Sequence, residues 1–296
     1  MLKPVHPDET IMMQLTLISG MSGSGKSIAL NVLEDAGYYC VDNLPAPLLL
    51  PLVEQLRGEG YKHVAVAMDM RGGASFIVLP EQLVGLRNHR VEISFIFLDA
   101  RDDVLIQRFS ETRRRHPLAD HATTLAEAIA LERAGLAEIV TLGHRIDTSN
   151  LLPNMLRVFV RDFIALAAAP SHEQGLVMLF ESFGFKHGLP LDADLVFDVR
   201  CLANPFYDPQ LRPLSGRDTA VVEFLEAQPD VMRMAGDIQR FIADWLPSYQ
   251  RDSRAYLTIA IGCTGGQHRS VYLAERLAGE FRDAAQILVR HRALKQ

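Results

Sequence analysis

Eight consecutive residues, Gly20-Met21-Ser22-Gly23-Ser24-Gly25-Lys26-Ser27, match the phosphate-binding pattern G-x-x-x-x-G-K-[ST] at every specified position. Each residue type answers a need of a bound triphosphate. Glycines let the backbone wrap the phosphates so that its N–H groups and a helix N-terminus face negative charge. Lys26 is placed to reach the β- and γ-phosphates, and the Ser27 hydroxyl to sit on Mg2+. Lys26 and Ser27 are therefore the candidate catalytic residues, and Ser27 the candidate metal ligand.

A second glycine-rich run, Gly262-Cys263-Thr264-Gly265-Gly266-Gln267-His268-Arg269-Ser270, carries an arginine and hydroxyls. Such a turn before a helix is a phosphate receptor of another kind. Cys263 and Arg269 also have the C-x5-R spacing of cysteine phosphatases, in which a thiolate attacks phosphorus while the arginine grips the oxygens. Gly262 replaces the histidine expected before such a cysteine, so phosphate binding, catalysis and a structural turn all remain open. Further candidates are Asp42, Asp69 and Asp99 at expected strand ends, one of them to support Mg2+. Arg108, Arg113, Arg114 and Arg115 could close over a triphosphate. Lys186 and His187 follow another strand end.

Strand-like and helix-like segments alternate along the chain, which predicts parallel sheets flanked by helices. The apolar run Leu15–Ile18 leads into the first glycine loop, and Ile28–Leu33 leads out of it as an amphipathic helix. Strands are expected in the segment 37–45, which ends in Asp42-Asn43 and a proline turn, and at 63–69, 94–99 and 145–149, with helices at 48–56, 102–115, 125–140 and 151–169. Small residues and a proline at Ala167–Gln174 predict a linker. Beyond it, strands are expected at 176–183, 194–199, 256–261 and 287–289, and helices at 221–225, 231–246 and 271–277. The fold class is thus α/β: an N-terminal P-loop NTPase domain with a parallel sheet over residues 1–169, and a second α/β domain over 170–296.

The chain has 296 residues, enough for about two domains. No apolar run approaches the roughly 20 residues needed to cross a membrane, and Met1–Thr10 lacks a signal-peptide core. The three cysteines form no C-x-x-C pair, which argues against a zinc knuckle or disulfide framework and for a reducing cytoplasm. A net charge of −6 excludes a globally basic nucleic-acid binder and leaves room for a local basic patch.

Five segments occur in order: the P-loop, Tyr39-Cys40-Val41-Asp42-Asn43-Leu44-Pro45, Glu111-Thr112-Arg113-Arg114-Arg115-His116-Pro117-Leu118, Ser182-Phe183-Gly184-Phe185-Lys186-His187-Gly188, and Ile261 to Ser270. Together they resemble the RapZ/YvcJ family of bacterial nucleotide-binding RNase adapter proteins from about Met13 onward. The resemblance implies weak ATPase and GTPase activity in the first domain, with ATP at Gly20–Ser27 and a guanine-nucleotide segment at Asp69-Met70-Arg71-Gly72. It implies a second domain that binds RNA and a phosphorylated amino sugar, the latter at Thr264, Gly265, Gly266, His268 and Arg269. In enterobacterial members the protein presents a small RNA to an endoribonuclease. The basic tail, Arg290, Arg292 and Lys295, is the expected RNA contact, thinner than in those members, and Phe206 stands where the family often has histidine. ATP, GTP and Mg2+ are the expected cofactors, and the expected state is a cytoplasmic homo-oligomer without a membrane partner. The alternatives are a small-molecule P-loop kinase and a metabolite-sensing module without an RNA role.

Overall fold

Strand β1 (Met13–Gly20) is buried along both faces apart from Gln14, as an interior strand of a parallel sheet must be. The computed structural model describes residues 13–69, 78–88, 91–119, 123–167, 176–251 and 256–294. After β1 come α1 (Lys26–Asp35), β2 (Tyr39–Val41), α2 (Leu49–Gly58), β3 (His63–Ala67), α3 (Leu79–Asn88), β4 (Val91–Asp99), α4 (Asp102–Thr112), α5 (Leu125–Leu136), β5 (His144–Asp147) and α6 (Pro153–Ala167). The five strands form one sheet in the order β2-β3-β1-β4-β5, and β1 runs parallel to both β3 and β4.

The second sheet is built from β6 (Val177–Gly184), β7 (Leu195–Asp198), β8 (Tyr256–Cys263) and β9 (Gln286–His291) in the order β7-β8-β6-β9, all parallel. Helices α7 (Thr219–Glu226), α8 (Pro229–Arg251) and α9 (Arg269–Glu280) accompany it. The chain divides into two compact units, Met1–Arg145 and Ile146–Gln296. Each has its own apolar core: Leu15, Leu17, Val66, Phe97 and Ile129 belong to the first, and Phe180, Ile238, Ile259, Leu273 and Leu277 to the second. Residues 168–175, most of the expected linker, lie outside the described residues.

Two elements depart from expectation. Helix α3 was not anticipated, although Leu79, Leu83 and Leu86 are spaced for one helical face and are buried. Helix α4 ends at Thr112 because Arg113 adopts a left-handed conformation, φ 52°. Arg113, Arg114 and Arg115 therefore lie in an exposed loop, not on the last turn of a helix.

Candidate functional site

The first cradle is the turn from β1 to α1. Gly20 has φ 140°, and a methyl group there would collide with the Leu98 carbonyl of β4. Glycine thus lets β1 end flush against its neighbour. Gly23 and Gly25 are also left-handed, and α1 starts immediately at Lys26 with Gly25 as its N-cap. Lys26 folds back across the loop, donating from Nζ to the carbonyls of Gly20 at 2.6 Å and Met21 at 3.2 Å. Ser27 is exposed on the first turn of α1.

The strand order places the ends of β3 and β4 on either side of this loop, the crevice where open parallel sheets bind ligands. Asp69 follows β3 and is buried, and Met68 before it donates its N–H to the Ile18 carbonyl of β1 at 2.9 Å. Asp99 ends β4 but is gripped from two sides. Arg133 Nη1 donates to its carboxylate oxygens at 2.9 and 3.1 Å, and Arg145 Nε to Oδ2 at 3.1 Å. A carboxylate so paired anchors α5 and β5. Asp42 is exposed just beyond β2. Ser27 and Asp69 suit Mg2+, which takes few protein oxygens and completes its shell with phosphates and water. Met70, Arg71 and Gly72 lie outside the described residues.

Glu132 on α5 was not singled out from the sequence, and it holds the loop from beneath. Its carboxylate accepts the Ser22 backbone N–H at 2.9 Å, the Ser22 hydroxyl at 2.7 Å and lies 3.1 Å from His116 Nε2. Ser22, Glu132 and His116 are all buried. His116 closes the Arg113–Arg115 loop, so the arginine segment and the phosphate loop share one carboxylate. Arg108 on α4 donates from Nη1 to the Gly23 carbonyl at 3.0 Å. The available signal was a charge on the apolar stripe of α5, where Ala128, Ile129 and Leu136 are its buried neighbours.

The second cradle joins β8 to α9. Gly266, at φ 74°, brings the loop against β6, where a methyl group would lie 2.7 Å from the Gly184 amide nitrogen. Gln267 Nε2 donates to the Leu214 carbonyl at 2.6 Å and so fastens the loop to the segment before α7. Cys263, at the base, receives the Gly266 N–H at 3.2 Å and lies 3.1 Å from the Ser270 hydroxyl. Burial opposes ionisation of this thiol, but the Ser270 and Gly266 bonds and the Arg269 charge hold it below the usual thiol range. Arg269 Nη1 is anchored on the carbonyls of Arg200 and Leu202 at 2.8 and 2.9 Å, while Nη2 faces the Thr264 hydroxyl at 3.4 Å.

His268 is placed differently from expectation. It is buried with Nε2 3.1 Å from the Leu211 carbonyl, and burial lowers its basicity. It braces the loop from behind, whereas Thr264 is exposed at the mouth. Lys186 Nζ lies 3.9 Å from where a side chain on Gly265 would begin. Arg200 stacks on Phe185 at 4.0 Å and pairs with Asp198 at 2.7 Å. Phe206, in the family's histidine position, packs beneath Arg212 at 4.8 Å.

The tail arginines are interior. Arg292 pairs with Asp147 at 2.6 Å and Asp192 at 3.2 Å, and Arg290 lies 3.6 Å from both Glu181 and Asp192. Their side chains are 5% and 8% exposed, so neither is displayed to a polyanion. Burial and the neighbouring Asp192 push Glu181 up to about 7, while Asp147 is held low by Arg292 and Ser149 against its own burial. Lys295 lies outside the described residues. All three cysteines are free thiols, and among the described residues no cluster of three or more His, Cys, Asp and Glu is arranged to hold a metal. No described helix is long and apolar enough to cross a membrane.

Comparison with known proteins covers nearly the whole chain. The RapZ-like N-terminal domain matches residues 13–167, and the RapZ C-terminal domain matches residues 176–295. A nucleotide-binding protein of Azoarcus sp. (strain BH72) is 64% identical over 281 residues, 95% of either chain. Another from Nitrosomonas europaea is 61% identical over 96% of this chain and 97% of its own. Among solved structures, an unliganded sugar kinase from Janibacter sp. covers 53% of this chain and 96% of its own, with 19% identity and a TM-score of 0.37. Shikimate kinase from Acinetobacter baumannii in complex with shikimate covers 55% and 96%, with 13% identity and a TM-score of 0.36. By the match of both domains and by relatives of this identity, the chain belongs to the RapZ family.

Proposed function

We propose that this chain is a regulator whose first unit binds and slowly hydrolyses ATP or GTP with Mg2+, and whose second unit binds a phosphorylated amino sugar and RNA. The observation that carries the reading is the pair of anion cradles, one in each unit. The first has the left-handed glycines, the helix start and the folded-back Lys26 that a triphosphate requires. Relatives named as nucleotide-binding proteins support the same ligand class. The second is lined by Arg269, Thr264 and Lys186, which suits a single phosphate group better than a triphosphate. Family membership extends the reading to an adapter that, as a homo-oligomer, presents RNA to an endoribonuclease.

Since Arg290 and Arg292 are interior, the RNA contact falls to exposed cations of the second unit such as Lys186, Arg200, Arg212 and Arg217. The deciding test is calorimetric titration of ATP and GTP into the wild type and Lys26→Ala. Loss of a charge-assisted phosphate contact is expected to weaken binding at least about tenfold, or ~1.4 kcal/mol, and unchanged affinity refutes the nucleotide reading. A kinase is the second reading, favoured by exposed Asp42 beyond β2 and the exposed arginines at 113–115. Transfer from labelled ATP to a sugar or nucleoside in excess of hydrolysis would establish it.

A further inference from the structure

The second cradle contains something that a simple phosphate receptor does not need, a thiol at its base. Cys263 is the last residue of β8 and Arg269 the first of α9, so the loop between them turns around the sulfur. The Gly266 N–H points at Sγ from one side and the Ser270 hydroxyl approaches it from another, at 3.2 and 3.1 Å. A hydroxyl and an amide converging on sulfur stabilise a thiolate more than a thiol. The direction of the Cys263 shift agrees with this.

Arg269 supplies the second, independent observation. The residue is 4% exposed, and Nη1 is committed to two carbonyls. Its Nε is buried and has no hydrogen-bond partner among the described residues, and Nη2 has only the 3.4 Å approach to Thr264. Nε–H and Nη2–H lie along one edge of the guanidinium, the fork that grips two oxygens of a carboxylate or phosphate. A buried donor without a partner is destabilising, so this edge suits a bound acceptor. The guanidinium is near enough for its charge to act on the Cys263 sulfur.

We propose that Cys263 is a nucleophile toward phosphate monoesters, and that the second unit has phosphatase activity. This rests on the phosphate-binding reading of the same loop. The thiolate attacks phosphorus, an S–P bond forms, and the P–O bond to the leaving group breaks with departure of its oxyanion. Water then attacks phosphorus and the S–P bond breaks. Inorganic phosphate and a proton leave, and the thiolate is regenerated. Asp198, whose charge acts on Arg269, is gripped by Arg200 and kept ionised, so it has no proton to give. The substrate class is accordingly a monoester whose leaving group departs without protonation: an aryl or enol phosphate.

The test uses the full chain with para-nitrophenyl phosphate as probe, and separately measures thermal stabilisation by inorganic phosphate. The expected result is turnover in the wild type and its loss to background in Cys263→Ser. Phosphate should stabilise both proteins, because a ligand of the folded state raises its melting temperature. Ser270→Ala, which keeps the thiol, should shift the rising limb of the pH–rate profile upward. No wild-type turnover, or turnover retained by a folded Cys263→Ser, overturns the proposal. If phosphate stabilises the wild type without turnover, the nucleophile alone fails. If phosphate stabilises neither protein, the binding reading fails as well.

Discussion

Replacing Glu132 by alanine tests whether the phosphate loop is held in shape by a residue that never touches nucleotide. The wild-type carboxylate satisfies the Ser22 N–H, the Ser22 hydroxyl and His116 Nε2 at 2.9, 2.7 and 3.1 Å, all buried. The hydroxyl can turn to another acceptor. The backbone N–H and the imidazole cannot, and each buried group left unsatisfied costs about 1–3 kcal/mol. The first unit should therefore lose about 2–6 kcal/mol, near the 3–5 kcal/mol typical of breaking a buried ion pair. If the free mutant loop relaxes to recover about half of that, and bound phosphates must then reorder Ser22 at the same cost, nucleotide affinity falls by about 1–3 kcal/mol, roughly 5- to 150-fold. Urea unfolding followed by circular dichroism, alongside calorimetric titration of ATP and GTP, reads both numbers. A stable protein with affinity within twofold of wild type refutes the reasoning altogether. Lost stability with unchanged affinity refutes the link between Glu132 and the nucleotide.

Two further predictions concern the second unit, which Trp245, the only tryptophan in the chain, reports by fluorescence. Glu181 has a folded pKa of about 7 against 4.5 when free, so the folded state keeps a proton that the unfolded chain releases between those values. Stability should fall as pH rises from about 4.5 to about 7, by up to ~1.4 kcal/mol per pH unit for one proton. Asp147 works in the opposite sense at lower pH: its pKa is depressed, so its contribution is lost as pH falls below about 4. Glu181→Gln should remove this fall and leave the opposite rise that His268 and His291, both lowered first by burial, contribute as pH climbs toward 6.5. Urea melts in which the mutant still loses stability between pH 5 and 7 would refute the assignment. Arg292→Ala leaves Asp147, Asp192 and Glu181 with Arg290 alone and should cost about 3–5 kcal/mol in the same melt. If instead it folds normally and lowers the salt dependence of RNA binding by about 0.7–0.9 in slope, the loss of one phosphate contact, then the arginine contacts RNA after all.

The sequence was most informative where one residue type has one use. The P-loop glycines, Lys26 and the Cys263–Ser270 run are recognisable because close approach, positive φ and phosphate contact admit few alternatives. Apolar strands such as β1, β4 and β8 were equally plain, because parallel strands buried on both faces leave little room for polar residues. Charged residues carried less information in isolation. Arg290 and Arg292 looked like a basic tail because sequence shows the charges but not their partners, and those partners are distant in sequence: Asp147, Glu181 and Asp192. The same blindness hid Glu132 and misplaced His268, whose ring faces the Leu211 carbonyl. A useful signal was still present in two places. Glu132 interrupts a helical apolar stripe, and Glu181 interrupts the all-buried strand β6. A carboxylate in such a position must have a partner, and finding it requires the fold.

The two sheets bear on how the units divide their work. The order β2-β3-β1-β4 in the first is matched strand for strand by β7-β8-β6-β9 in the second, so β1 corresponds to β6 and β3 to β8. The cradles do not correspond. The P-loop follows β1, whereas the Cys263 loop follows β8, the counterpart of β3. At the equivalent of the P-loop, after β6, the chain continues through Phe185, Lys186 and His187 with no glycine-lysine pattern. One sheet order thus presents two neighbouring strand ends above the same kind of crevice, and each unit builds its glycine-rich loop on a different one. The first puts a helix start and a lysine on the central strand, with Asp69 beside it. The second puts a cysteine and an arginine on the neighbouring strand and leaves the central one to supply Lys186. A shared sheet therefore gives no ground for assigning both units the same ligand. The proposed ligands, a triphosphate with Mg2+ for the first and a single phosphate group for the second, follow from the side chains at each loop and not from the sheet.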